Sequence, residues 1–132
     1  METMRGEHTD RKVTVLVLEE EKHERDYIGA LLRHHGFRVL RVEDSDAALR
    51  LLEGEEPIDA LVADAHVPGS IDGNAVVATT RARWPRIAAV MISGHSDETS
   101  GALPDGAHFV AKPYLPDRLV PLLERLLSRE TR

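Results

Sequence analysis

Short runs rich in apolar and β-branched residues recur along the chain, with little alternation between apolar and polar positions. A run of this kind is typical of a strand that is buried on both faces of a sheet. The predicted strands cover residues 13–18, 37–42, 58–63, 87–92 and 107–111. Each run stops abruptly at polar residues, which marks the end of the strand.

Between these runs, the apolar residues recur at a spacing that places them on one side of a helix. The predicted helices cover Lys22–His35, a segment from a cap at Asp44 or Ser45 to Gly54, residues 74–83, one or two turns within 96–103, and Leu115–Leu127. Gly36 follows the first helix, where glycine commonly ends a helix. Pro121 lies inside the last helix and is expected to bend or delay it.

This alternation of buried strands and one-sided helices predicts an α/β domain in which helices cover both faces of a parallel sheet. The chain has 132 residues, which fits one domain. Residues 1–11 are polar and aperiodic, so they predict a disordered tail. We therefore expect a single folded domain over residues 12–129.

Charge and composition exclude several classes of function for this chain. The net charge of −6 at pH 7 argues against a nucleic-acid-binding module, whose surface is normally basic. The absence of cysteine excludes disulfide bonds, thiol catalysis and cysteine-ligated metals. No apolar run reaches the roughly 20 residues that span a bilayer, and no apolar stretch typical of a secretory signal begins the chain. These observations predict no membrane contact and a cytoplasmic location.

Polar side chains follow four of the predicted strands. They are Glu19 and Glu20 after the first strand, Asp64 after the third, Ser93 after the fourth and Lys112 after the fifth. Ligands of open α/β sheets bind at the carboxyl ends of the strands, so we expect these side chains at one edge. Carboxylates suit Mg²⁺, which binds one or two of them together with a phosphate, and lysine and serine can bind that phosphate. A carboxylate can also act as a nucleophile, and Asp64 is the best candidate because it lies alone on the central strand.

Each of these residues taken singly has a simpler explanation, because loops begin where strands end. Asp64 alone fits a helix or turn cap, and Lys112 alone fits a solvated lysine. Their joint occurrence favours a site. For Glu21, a solvated acidic turn is the better interpretation.

Four segments at these strand ends match a known family in their order and spacing. The segments are 15–21 with Arg25, 58–64 with Val67-Pro68 and Asp72-Gly73, Ser93-Gly94, and 106–114. Over Val13–Leu127 the chain resembles the receiver domain of two-component response regulators, in its single-domain, chemotaxis-regulator-like form. The resemblance implies a flavodoxin-like (βα)₅ fold with strand order 2-1-3-4-5.

The resemblance also implies a phosphorylation site. Asp64 would accept a phosphoryl group from a sensor histidine kinase or a phosphotransfer protein, and Ser93 and Lys112 would bind that group. Phe109 occupies the position of the family's switch aromatic, whose rotamer follows the hydroxyl of Ser93. The Lys112–Pro113 peptide bond is expected to be cis.

Mg²⁺ is the cofactor that the resemblance implies. It would be bound by Glu20, by Asp64 and by the backbone carbonyl of His66, with Glu19 acting through water. The family prefers Asp in the acidic pair, especially at the second position, whereas both residues here are Glu. This departure leaves the strength of Mg²⁺ binding open.

Two loops also depart from the family. The segment Pro68–Gly73 is one residue longer than its commonest form, and the spacing from Ser93 to Lys112 leaves the fourth helix about a turn short. His66 and His95 flank the site. Either they tune the lifetime of the phosphoryl group by controlling access of water, or they are exposed loop residues, and the sequence supports both interpretations equally.

The leading hypothesis is a phospho-accepting signalling module that is not an enzyme beyond its own phosphorylation and dephosphorylation. It would act through a downstream protein target, and a homodimer through the fourth helix, fifth strand and last helix is left open. A degenerate receiver that binds proteins without phosphorylation is the alternative. A small metal-dependent phosphohydrolase using these carboxylates with His66 and His95 is disfavoured, because the chain has no room for a substrate cap.

Overall fold

Five parallel strands form one sheet in the order β2-β1-β3-β4-β5. The computed structural model describes residues 12–94 and 103–127. The strands are β1 (Thr14–Leu18), β2 (Arg38–Val42), β3 (Ala60–Asp64), β4 (Ala88–Ser93) and β5 (His108–Ala111). This order and the parallel pairing confirm the predicted α/β architecture and strand order.

In the described part of the chain, helices follow β1, β2, β3 and β5 as the periodicity predicts. They are α1 (Lys22–His34), α2 (Ser45–Glu53), α3 (Gly73–Arg83) and α4 (Val120–Leu126). A side-chain carboxylate of Glu21, Asp44 or Asp72 caps each of the first three helices by accepting a backbone N–H of its first turn. Such caps satisfy donors that have no partner within the helix.

The C-terminal helical segment starts irregularly. The chain leaves β5 through a 3₁₀ turn (Lys112–Tyr114) and a π-helical turn (Leu115–Leu119) before α4 begins. Pro121 lies in the first turn of α4, where its missing N–H leaves no helical bond unmade, so the predicted delay is confirmed. The Lys112–Pro113 bond is trans, which corrects the expected cis bond. The chain passes directly into the 3₁₀ turn, in which Leu115 donates to the Lys112 carbonyl.

The core has two layers, one on each face of the sheet. Successive residues of a strand point to opposite faces, so Val15, Val17 and Val62 pack on one face and Leu16, Leu18 and Leu61 on the other. Helices α1 and α4 cover the first face, and α2 and α3 cover the second. Burial on both faces explains why the strands appear in the sequence as continuous apolar runs.

Helix α3 runs along the sheet from the carboxyl ends of the strands to their amino ends. It begins at Gly73, which donates to the carbonyl of Ala65 just after β3. It ends at Trp84, whose indole ring lies 4.4 Å from the Arg83 guanidinium carbon and whose carbonyl accepts from Ile87, just before β4. The two ends of α3 therefore lie at opposite ends of the strands.

Three predictions fall on residues outside the described ranges. They are the tail at 1–11, most of the helical turns at 96–103 and His95.

Candidate functional site

The carboxyl ends of the strands bring the predicted site residues to one edge of the sheet. Asp64 is the last residue of β3 and pairs in register with Ile92, and Ser93 ends β4 opposite Ala111. Glu19 follows β1 directly, and Lys112 follows β5. The topology thus places two carboxylates, a hydroxyl and an ammonium at the same edge.

Lys112 is the centre of the charged contacts at this edge. Its Nζ lies 2.5 Å from Asp64 Oδ2 and 3.1 Å from Glu19 Oε1. It also forms an ion pair with Glu24 Oε1. Burial alone would lower the pKa of Lys112, but its contacts with the carboxylates of Asp64, Glu24 and Glu19 outweigh burial and raise the pKa above its ordinary value. Lys112 therefore stays positively charged across the physiological pH range.

Glu19 is a buried carboxylate, with only 2% of its surface exposed. Its Oε2 accepts the Glu21 backbone N–H at 3.0 Å. Its Oε1 is buried and accepts no hydrogen bond from the described residues, and the 3.1 Å approach of Lys112 Nζ is its charged contact. Burial first, and the neighbouring Asp64 carboxylate second, raise the pKa of Glu19 to about 7. The edge thus holds more negative charge than Lys112 alone compensates.

The backbone around Asp64 holds its side chain in place. Oδ1 of Asp64 accepts the His66 backbone N–H at 2.9 Å, while Oδ2 contacts Lys112. Gly73 packs so closely against the strand end that a Cβ there would overlap the Asp64 carbonyl oxygen. The Asp72-Gly73 motif is therefore needed because α3 must begin directly against β3.

Arg25 fixes the acidic loop after β1. Its Nη1 donates to the backbone carbonyls of Glu19 and Glu20, each at 3.0 Å. A guanidinium presents several donors in a rigid arrangement, so one side chain holds two consecutive carbonyls. This contact explains why Arg25 accompanies the acidic residues in the sequence motif.

The structure adds Glu24, which the sequence did not predict, to the acidic cluster and places Glu20, which the sequence did predict, outside it. Among the described residues, the acidic cluster consists of Glu19, Glu24 and Asp64, whose oxygens lie within 4.8 Å of one another. Glu20 is exposed and is not part of that cluster. Glu24 lies in the first turn of α1, and the signal that could have identified it is that a helix following β1 begins above the strand's carboxyl end.

Ser93 and Phe109 share one face of the sheet. Met91 pairs with Phe109 and Ser93 with Ala111, so the hydroxyl and the ring lie two positions apart on neighbouring strands. Ser93 is buried, and Phe109 is half-buried against the core layer of α2 and α3. His66 is exposed. This geometry is compatible with the predicted switch pair, whose role stays a prediction.

The donor set fits a hard divalent cation. A buried Glu19 oxygen without a hydrogen bond, next to further carboxylate oxygens, is a group that a cation would satisfy. Carboxylate oxygens are the ligands that Mg²⁺ prefers. The residues present are therefore suited to the ion that the sequence pattern implies.

Residues 15–124 match the model of the response regulator receiver domain. The chain belongs to this family. Receiver domains are signalling modules of two-component systems, whose partner is a histidine kinase, and they bind Mg²⁺ at an acidic pocket. The family match thus agrees with the strand-end chemistry.

Relatives and solved structures extend the likeness over most of this receiver domain. A putative NtrX-like response regulator of Rickettsia typhi is 36% identical over 118 residues, which is 86% of this chain and 25% of that protein. A response regulator receiver protein of Sinorhizobium medicae superposes with a TM-score of 0.80 at 28% identity, covering 89% of this chain and 96% of that one. The receiver TrrA of Thermotoga maritima, solved in complex with Mg²⁺-BeF, has a TM-score of 0.78 at 22% identity, covering 86% and 98%, which shows the shared fold.

The receiver chain spans about a quarter of the length of the NtrX-like relatives that it matches. Within residues 12–94 and 103–127, every helix is too short or too polar to cross a bilayer.

Proposed function

We propose that this receiver accepts a phosphoryl group on Asp64 from a phosphohistidine of a sensor kinase or phosphotransfer protein. The observation that supports this most directly is the Asp64 side chain at the end of β3, with Lys112 Nζ at 2.5 Å and the buried Glu19 beside it. A carboxylate held against a charged lysine is ready to receive a group that carries negative oxygens.

The proposed transfer exchanges one bond to phosphorus for another. A carboxylate oxygen of Asp64 forms the new P–O bond while the P–N bond to the donor imidazole breaks. The imidazole nitrogen keeps the electron pair of the broken bond and the ring becomes neutral, or takes up a proton from solvent. Lys112 and Ser93 bind oxygens of the phosphoryl group at the edge of the sheet.

Mg²⁺ is the proposed cofactor of this transfer. Glu20, Asp64 and the backbone carbonyl of His66 are the proposed ligands, with Glu19 acting through water, and Glu19 and Asp64 already lie in the acidic cluster. When bound, the ion offsets the negative charge of the carboxylates and of the phosphoryl oxygens. Arg25 and Gly73 position the loops that carry these groups. Arg25 does so by its hydrogen bond to the Glu19 carbonyl, and Gly73 by its close packing against Asp64.

The proposed output is a protein surface. The net charge of −6 favours contact with a downstream protein over nucleic acid. The proposed contact region, including for a homodimer, is the face formed by β5, α4 and the short helix that the sequence predicts within residues 96–103. The domain boundaries at 12–129 and a cytoplasmic location belong to the same proposal.

One observation favours the alternative of a receiver that is not phosphorylated. Both residues of the acidic pair are Glu, and Glu20 is exposed and outside the acidic cluster. A poorly formed Mg²⁺ site would leave the fold intact for protein contact while removing the phosphorylation.

Labelling with acetyl phosphate and Mg²⁺, measured by intact mass, distinguishes a phosphorylated receiver from one that is not phosphorylated. We expect the wild-type chain to gain one phosphoryl mass, Asp64→Asn to gain none, and chelation by EDTA to abolish the gain. Asp26→Asn is the matched control, because it removes one exposed carboxylate on α1 whose partners are Lys22 and Arg41. Labelling of Asp64→Asn at the wild-type rate would show that the site is elsewhere, and no labelling of wild type would favour the unphosphorylated alternative.

A further inference from the structure

We propose that Glu24 holds Lys112 in the resting receiver and thereby slows phosphoryl capture. This inference rests on the proposed function, because Lys112 is the residue that would bind the phosphoryl group. Glu24 is thus a positioning residue that acts through Lys112, outside the set of side chains at the strand ends.

The first support is the contact itself. Lys112 Nζ forms an ion pair with Glu24 Oε1 while also lying against Asp64 and Glu19. The Lys112 side chain is 18% exposed and that of Glu24 is 47% exposed. Asp64 and Glu19 are buried, so Glu24 is the one of the three carboxylates around this ammonium that is open to solvent.

The second support is that Glu24 is held in place by its own helix. Its backbone N–H donates to Glu21 Oε1 at 2.8 Å, which is the cap of α1. A negative side chain in the first turn is favoured by the partial positive charge of the helix amino end. The carboxylate therefore sits close to Lys112 without ordering a loop, and it is present before any ligand arrives.

The consequence is a competition for one ammonium. A phosphoryl group brings negative oxygens that need Lys112, and Glu24 both occupies Lys112 and repels those oxygens. Because Glu24 is half-exposed, water and salt screen this effect. We expect removal of the Glu24 charge to raise the labelling rate about two- to fivefold, the range that corresponds to one exposed ion pair.

The contact can be measured without any phosphoryl donor. Lys12, Lys22 and Lys112 are the lysines of the chain, so the lysine ammonium groups can be followed individually by NMR in metal-free protein. In wild type, Lys112 should show an ammonium signal protected from exchange with water. Glu24→Gln should speed that exchange, whereas Asp26→Asn, which changes the same helix by the same charge, should leave it unaltered.

Acetyl-phosphate labelling of the same variants tests the kinetic part. We expect Glu24→Gln to label Asp64 faster than wild type, with the difference shrinking at high salt, and Asp26→Asn to label at the wild-type rate. Equal rates for wild type and Glu24→Gln, with labelling still confined to Asp64, would overturn the inference and leave the proposed function standing. If wild type is not labelled at all, the proposed function fails. Unchanged Lys112 exchange in Glu24→Gln would overturn the contact independently.

Discussion

At the scale of single residues, Glu19 stands out because, among the described residues, its Oε1 is the buried side-chain oxygen that accepts no hydrogen bond. Its ordinary pKa of 4.5 is raised to about 7 in the folded chain, by burial first and by Asp64 second. Between these values the folded state binds a proton that the unfolded state has released, so its stability falls as pH rises through this window. Above the folded pKa the full penalty applies, and below the ordinary pKa it vanishes.

We therefore predict that Glu19→Gln stabilises the metal-free protein at pH 8 by about 2 kcal/mol and has little effect near pH 4.5. The expected gain is smaller than the shift alone would give at about 1.4 kcal/mol per pKa unit, since the buried glutamine amide must itself find hydrogen-bond partners at this site. Urea unfolding in EDTA at both pH values measures it. The exposed neighbour variant Glu20→Gln is the control for charge, and a pH-independent difference between the two variants would contradict the burial argument.

Glu24 shows what residue-level reasoning from sequence leaves out. Asp64, Ser93 and Lys112 could be placed at one edge from the sequence alone, because the carboxyl ends of parallel strands meet there. Glu24 and Glu21 lie in a polar run that sequence cannot divide between solvent, helix cap and site. The structure assigns Glu21 as the cap of α1 and brings Glu24 to Lys112. Whether a side chain of this length reaches the site depends on the angle between β1 and α1, and the sequence does not give that angle.

At the scale of elements, α3 is built directly against the end of β3. A Cβ at Gly73 would overlap backbone atoms of Asp64, and backbone cannot move aside as a flexible side chain can. We predict that Gly73→Ala destabilises the fold by about 1–3 kcal/mol or more and lowers the labelling of Asp64 in the fraction that remains folded.

Gly94→Ala is the matched control for this substitution. Gly94 is also near the site, but a Cβ there would meet Lys112 Cδ only at an ordinary 3.9 Å. Denaturant unfolding and labelling of both variants check the prediction. Equal stability of the two would show that α3 can shift away from β3 at little cost.

Strands β4 and β5 link the site to the proposed output face. Ser93 and Phe109 lie on one face, two positions apart, and a ligand shifts only an equilibrium between states that it binds differently. We predict that Ser93→Ala keeps the labelling of Asp64 but reduces the amide chemical-shift changes around Phe109. Ser70→Ala, whose hydroxyl donates to Asp46 on α2, should respond like wild type. If the chemical-shift changes around Phe109 were the same in Ser93→Ala as in wild type, the Ser93 hydroxyl would have no role in the switch.

The positions of the five strands followed from the sequence to within two residues, although Asp64 and Ser93, predicted to follow their strands, are the last residues of β3 and β4. Runs such as Val15–Leu18 are buried on both faces and cannot be mistaken for exposed loops. The start of the last helix was harder to predict, because the apolar spacing from Leu115 continues through a π-helical turn. Side-chain periodicity does not distinguish a π turn from an α turn over so few residues.

At the scale of the whole molecule, net charge is the property that bears on binding to nucleic acid. A net charge of −6 opposes the phosphate backbone of nucleic acids, whose non-specific ligands are basic and bind with dissociation constants of about 10⁻⁴–10⁻⁶ M. We predict no salt-sensitive binding of this chain to random duplex DNA at physiological ionic strength, measured by fluorescence anisotropy of labelled DNA. Binding that weakens as salt is raised would contradict a protein-only output.

Helix α3 also gives the molecule an optical probe of events that occur far from it. Its first residue packs on Asp64 and its last turn leads into Trp84, the one tryptophan of the chain. Eleven residues of α-helix span about 16 Å, so the indole is too distant for direct contact with an ion or a phosphoryl group bound at the acidic edge. A change in its emission when Asp64 is modified would therefore report a conformational response of the protein, as distinct from occupancy of the site.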